Sequence, residues 1–218
     1  MTGTMELFSA RVCPYAHRSR LALAVKGIEF DLIEIDLSDK PPRFLDVSPY
    51  GKVPALVQGG VAVYESNIIN EYLDELYPEP ALMPVDPLGR ARARIWIDYI
   101  DSKFLDTYYD AIENKDRSKD DQFRTTIEEA FRFMENDGMA KMSAGGPYWL
   151  GAEISLIDLA YYPFFERLPA WTYYRGIDIP VDCSRLTKWR AAMQEPPAVT
   201  EIANSPDYYI EGYKKYAA

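Results

Sequence analysis

Two spacings of apolar residues run through the chain, one suited to strands and one to helices. Met5 to Phe8 is a short apolar run. Leu21, Leu23, Ala24 and Val25 follow at helical spacing, and Gly27 stands where a helix would stop. Phe30 to Leu37 reads as a second strand, with Phe30, Leu32 and Ile35 as its apolar positions and an imperfect alternation. Lys40-Pro41-Pro42 opens a short irregular or helical piece that closes near Ser48-Pro49-Tyr50-Gly51. Val53 to Val57 and Val61 to Tyr64 flank Gln58-Gly59-Gly60, the signal of a hairpin. Ile68, Ile69, Tyr72, Leu73 and Leu76 then fall on one helix face, with Ser66 placed to cap it.

From there the spacing is helical throughout. Pro78, Pro80, Pro84 and Pro87 mark residues 79–87 as a linker between a domain at 1–78 and one at 88–218. Leu88, Ala91, Ile95 and Tyr99 open a helical stretch that runs to about residue 113, and Phe123, Ile127, Phe131 and Met134 open another. Residues 114–121 read as a solvated loop and Gly138 to Gly146 as a second. Ser155 and Asp158 have the spacing of a capping box at the start of an apolar helix, a structural device. Leu186 to Met193 and the tail from Pro206 complete the helical half.

Bulk properties narrow the function. The 218 residues carry a net charge of −10, with 7 basic against 11 acidic residues in 1–78 and 17 against 23 in 79–218. Neither part has the basic excess that a nucleic-acid backbone requires. No apolar run approaches a membrane span and no charged-then-apolar leader is present. Two cysteines, Cys13 and Cys183, make no disulfide framework, which fits a cytoplasmic protein. His17 is the single histidine, so no transition-metal site is expected.

The chemistry gathers at Val12-Cys13-Pro14-Tyr15-Ala16-His17-Arg18. Cys13 stands where a strand hands over to a helix, with Pro14 in the first turn. First-turn amides and the helix dipole favour a thiolate there, and thiols so placed titrate between roughly 3.5 and 7.5. The competing reading is a small buried hydrophobe. Position 16, where a two-cysteine redox motif has its resolving thiol, holds Ala16. His17 reads as a helix-surface residue and Cys183 as a packing one.

The order strand–helix–strand–helix–strand–strand–helix is that of a thioredoxin-like α/β domain, followed here by an all-α domain. In that arrangement a cis Pro54 would turn the Val53 backbone toward Cys13. The helix start at Ser66 offers donors to a carboxylate, Glu65 meets an ammonium, and Lys40 and Lys52 meet a second carboxylate. The ligand implied is a short peptide with a thiol, one ammonium and two carboxylates, which describes glutathione.

Cys13-Pro14-Tyr15-Ala16 with Arg18, Lys40-Pro41, Gly51-Lys52-Val53-Pro54 and Tyr64-Glu65-Ser66 together resemble the cysteine-dependent branch of the cytosolic glutathione transferases, which includes the omega, lambda and dehydroascorbate-reductase-like classes. The resemblance extends through the second half. It implies that Cys13 forms a mixed disulfide with glutathione, beside Pro14 and Tyr15. It also implies that Val53 pairs with the cysteinyl backbone, that Glu65 and Ser66 hold the γ-glutamyl end and that Lys40 holds the glycine carboxylate; Lys52 departs from an often apolar position. Arg167, Trp171 and Tyr208 are the candidates it offers for a second-substrate pocket. That substrate would be small and hydrophobic, a disulfide or a ketone. No metal is implied, and the class occurs as homodimer or monomer.

The expected activity is glutathione-dependent thiol transfer or reduction, with deglutathionylation, dehydroascorbate reduction and glutathionyl-ketone reduction as its variants. Two alternatives stand beside it. One is conjugation of glutathione to electrophiles with Tyr15 or Ser9 supplying a hydroxyl; the other is a non-catalytic interaction protein on the same fold.

Overall fold

The computed structural model describes residues 4–217. The chain folds as two compact units, with the boundary between Leu82 and Met83.

The first unit runs β1 (Met5–Ser9), α1 (Pro14–Val25), β2 (Phe30–Glu34), α2 (Pro42–Val47), β3 (Ala55–Gln58), β4 (Val61–Tyr64) and α3 (Ser66–Leu76). Its four-stranded sheet has the order β2-β1-β3-β4. β1 pairs in parallel with β2, Met5 opposite Phe30, and antiparallel with β3, Leu7 opposite Leu56. Gly59 and Gly60 both take positive φ, 58° and 81°, which a two-residue type I′ hairpin turn requires. Gly27, at φ 63°, closes α1 by a Schellman motif, with Ile28 N–H donating to Leu23 O and Gly27 N–H to Ala24 O. Phe8, Ala16, Ile35, Phe44, Val53 and Ala55 form a core cluster against which Cys13 packs.

β2 is shorter than the sequence suggests, ending at Glu34, and Leu32 is half exposed. It is an edge strand, paired among the described residues with β1 alone. The segment after α3 stays with this unit through a buried ion pair. Lys26 Nζ lies 2.8 Å from Asp74 Oδ1 and donates to the carbonyls of Tyr77 and Pro80. Asp74 Oδ1 also accepts from Leu82 N.

The second unit is helical: α4 (Pro87–Tyr99), α5 (Leu105–Glu113), α6 (Asp120–Phe133), α7 (Ala140–Met142), α8 (Leu156–Glu166), α9 (Leu168–Arg175), α10 (Ser184–Ala192), α11 (Pro197–Thr200) and α12 (Pro206–Ala217). A π-helical turn at Ile100–Phe104 joins α4 to α5, and another at Met134–Met139 joins α6 to α7. The expected inner face of α4 is its outer one. Leu88 and Ile95 are exposed, whereas Ala93, Trp96 and Ile97 are buried, because Trp96 packs on Trp149. Gly138 lies in helix, not in a loop. A Cβ there would come within 2.6 Å of the Trp149 ring, so the glycine serves close packing. α8 is buried along its whole length and carries the capping box: Asp158 accepts from Ser155 N, Ser155 Oγ, Trp149 N and Trp189 Nε1. No helix among the described residues is long and apolar enough to cross a membrane.

Candidate functional site

Cys13 is the N-cap of α1, with φ −78° and ψ 120°, and Pro14 follows in the first turn. Its N–H donates to Ala10 O at 2.9 Å, which closes a turn between β1 and α1. The side chain is partly buried, with Sγ 3.7 Å from Val53 O. Val53–Pro54 is a cis peptide, and β3 begins one residue later. The strand–Cys–Pro–helix signal and the Val-Pro signal therefore meet in space, 40 positions apart in sequence.

Two basic residues on α1 build the frame around this thiol. Arg20 donates to Ser9 Oγ at 2.6 Å, to Ala10 O at 3.1 Å and to Arg11 O at 3.3 Å, pinning the turn that presents Cys13. Arg18 is completely buried and reaches Ser66 Oγ at 3.4 Å. His17 is likewise buried, not on the helix surface as expected. α1 is enclosed on nearly every side from Ala16 to Leu23, so its polar residues lie inside with its apolar ones. A reading that sends polar residues outward misses Arg18 and Arg20 for that reason. The one available signal was their density in a short helix lined with small residues.

The second element expected to bind the ligand starts one residue earlier than the sequence suggests. Glu65 is the N-cap of α3, at φ 70° and ψ 116°, and Ser66 is its first helical residue. A non-glycine residue at that φ is costly, and such residues gather at ligand sites. Ile69 N–H donates to Glu65 O, which opens the helix ladder.

Lys40 and Lys52 are exposed. Lys40 Nζ would lie 3.8 Å from a Cβ placed on Gly51, so it lies beside the loop that leads to Val53. Ser48 holds that loop, its hydroxyl donating to Lys52 O at 2.7 Å and accepting from Lys52 N at 3.0 Å. Tyr15 is half-buried, with the Arg18 guanidinium 5.1 Å from its ring centre.

The three candidates in the helical unit differ among themselves. Trp171 has no exposed surface, is stacked on Tyr108 at 4.0 Å and donates to Tyr108 O at 2.6 Å. Arg167 is equally buried, donating to Pro163 O at 2.6 Å with its guanidinium 4.6 Å from the Tyr209 ring centre. Both are part of the core of that unit and line no open surface. Tyr208 alone of the three retains partial exposure.

Cys183 is 1% exposed, and burial, reinforced by the charges of Asp182 and Glu135, pushes its thiol up to about 11. Among the described residues no group of three or more His, Cys, Asp or Glu side chains converges as a metal site.

Comparisons with known proteins agree on one family. Residues 7–81 match "Glutathione S-transferase, N-terminal domain" and residues 103–192 match "Glutathione S-transferase, C-terminal domain". The chain is 32% identical over 216 residues to glutathione S-transferase omega-1 of Mus musculus, covering 98% of this chain and 85% of that protein. Among solved structures, a tau-class glutathione S-transferase from mango superposes with a TM-score of 0.90 at 28% identity, covering 98% of each chain. Glutathione transferase Omega 3C from Trametes versicolor superposes with a TM-score of 0.87 at 28% identity, covering 99% of this chain and 91% of that one. On both halves of its sequence and on its fold, the chain belongs to the glutathione S-transferase family.

Proposed function

We propose that this glutathione transferase is of the cysteine type and exchanges sulfur rather than conjugating it. The observation that carries the reading is the setting of Cys13: N-cap of α1, half open, its sulfur 3.7 Å from Val53 O beside a cis proline. The positive end of the α1 dipole favours its thiolate, while the sulfur makes no cap hydrogen bond to a first-turn amide. That thiolate attacks the glutathione sulfur of a mixed disulfide. The old S–S bond breaks, a Cys13–glutathione disulfide forms, and the departing thiolate takes a proton from water.

Position 16 is a buried alanine, so no thiol of the motif can resolve the disulfide. A second glutathione thiolate does so, leaving as glutathione disulfide and restoring Cys13. Val53 pairs with the peptide backbone, Glu65 and Ser66 hold the γ-glutamyl end, and Lys40, with Lys52 nearby, meets the glycine carboxylate. Pro14 and Tyr15 border the thiol. Tyr208 is the candidate that remains for contact with the second substrate.

Conjugation by a serine is disfavoured. The Ser9 hydroxyl is fully buried and already accepts from Arg20.

Incubation with glutathione disulfide followed by intact mass measurement tests the reading. One glutathione on wild type and none on Cys13→Ser is expected. An unmodified wild-type protein refutes sulfur exchange.

A further inference from the structure

We propose that the helical unit carries a binding site for a small monocarboxylate, held by the Arg190 guanidinium in a cavity between α8, α10 and the start of α12. The cavity measures about 100 Å³. Tyr162 and Glu166 of α8, Arg190 of α10, Thr200 of α11 and Asn204 ahead of α12 contribute to its lining. All of them belong to the helical unit. Tyr162 and Glu166 are buried whereas Thr200 is exposed, so the cavity has a closed floor and an open rim.

The charges around it do not cancel. Glu166 and Arg190 are the two charged residues of the lining. The surrounding core engages Glu166: its Oε2 accepts from the Tyr209 hydroxyl and lies 3.9 Å from Arg167 Nη1. Arg167 has no exposed surface, so salt screens that pairing little. Arg190 Nε, by contrast, is buried and has no hydrogen-bond partner among the described residues. Burial, and then the charge of Glu166, pushes the Tyr162 phenol up, so that side chain stays neutral. One negative charge against two positive ones leaves an excess of one, on the guanidinium whose inner N–H is unmet.

A buried N–H without an acceptor is costly, so a ligand that supplies one is favoured. The Nε edge of a guanidinium presents two parallel donors that match the two oxygens of a carboxylate. A monocarboxylate also brings the single negative charge that the excess calls for. A phosphate, carrying more than one negative charge at neutral pH, overshoots it beside Glu166. At about 30 Å³ per water, the cavity has room for about three waters, or for one carboxylate of about six non-hydrogen atoms. The Thr200 hydroxyl at the rim donates to Pro197 O, which leaves its lone pairs for a hydroxyl on the ligand.

The test titrates the isotope-labelled full chain with sodium L-lactate at constant ionic strength and follows the arginine Nε–H resonances by NMR. The Arg190 resonance is identified by its absence from Arg190→Lys. In wild type it should move saturably, with half-saturation at about 5 mM or below, an affinity open to a ligand of so few atoms. Arg190→Lys should weaken binding by about tenfold or more, read from the backbone amides of Thr200 and Asn204, because the two-pronged edge is lost. Ala203→Leu leaves the guanidinium in place and fills the cavity, so it should abolish the shift. Inorganic phosphate should bind more weakly than lactate. No saturable shift in wild type, an equal shift from sodium chloride, or a shift that survives in Ala203→Leu overturns the site. Should Ala203→Leu fail to fold by circular dichroism, Arg190→Lys decides, and lactate binding there as tight as in wild type overturns it. Phosphate binding as tightly as lactate overturns the assignment to a monocarboxylate.

Discussion

Both cysteines of the chain are helix N-caps, Cys13 on α1 and Cys183 on α10, and their surroundings separate them. Cys13 is partly open and has a proline after it; Cys183 is sealed, with acidic neighbours. Native protein treated with iodoacetamide at pH 7.5 should be labelled at Cys13 and not at Cys183, as read by peptide mass mapping. Labelling of Cys183 should appear only on unfolding. The same contrast gives a pH dependence. The folded thiol of Cys183 titrates near 11, against about 8.5 in an unfolded chain, so the fold holds its proton more tightly. Its contribution is full below about pH 8.5 and is lost as pH rises toward 11. Urea midpoints of wild type should therefore fall across that window more steeply than those of Cys183→Ala.

At the scale of elements, the strongest local device is the capping box of α8. The Asp158 carboxylate is wholly buried and accepts four hydrogen bonds from Ser155, Trp149 and Trp189. Burial pushes its pKa up, an effect larger than the downward pull of those bonds. Removing the carboxylate strands several buried donors at once, so Asp158→Ala should cost about 3 kcal/mol or more. Ser155→Ala should cost only about 1 kcal/mol, since the backbone bond remains. Urea unfolding of the two variants checks the order. This box and the Gly59-Gly60 hairpin were both legible in the sequence because each is written in adjacent residues. The inner face of α4 was not, since what buries Trp96 in place of Ile95 is Trp149, more than fifty positions away. The site shows the same division. Cys13, Pro54 and Glu65 stand in short motifs, whereas the burial of Arg18 and His17 follows from the packing around α1.

For the whole molecule, all four tryptophans, at 96, 149, 171 and 189, belong to the helical unit. Intrinsic fluorescence therefore reports that unit, and the first unit needs another probe. Its counterpart to Asp158 is the Lys26–Asp74 pair, which holds the Tyr77, Pro80 and Leu82 backbone to α1 and α3. Taking away one member leaves a buried charge uncompensated, so Lys26→Met should lower stability by about 3–5 kcal/mol. Circular dichroism in urea would register the loss, and an unchanged midpoint would show the pair to be dispensable.

The methyl group of Ala16 carries a consequence for how such an enzyme behaves in a changing cell. Under the sulfur exchange proposed above, with no neighbouring thiol to expel the bound tripeptide, a capped Cys13 would wait for a free reductant to arrive by diffusion. Turnover on that mechanism would be gated by the reduced pool itself: with the pool depleted the protein would accumulate in its blocked form, and replenishment alone would restart it.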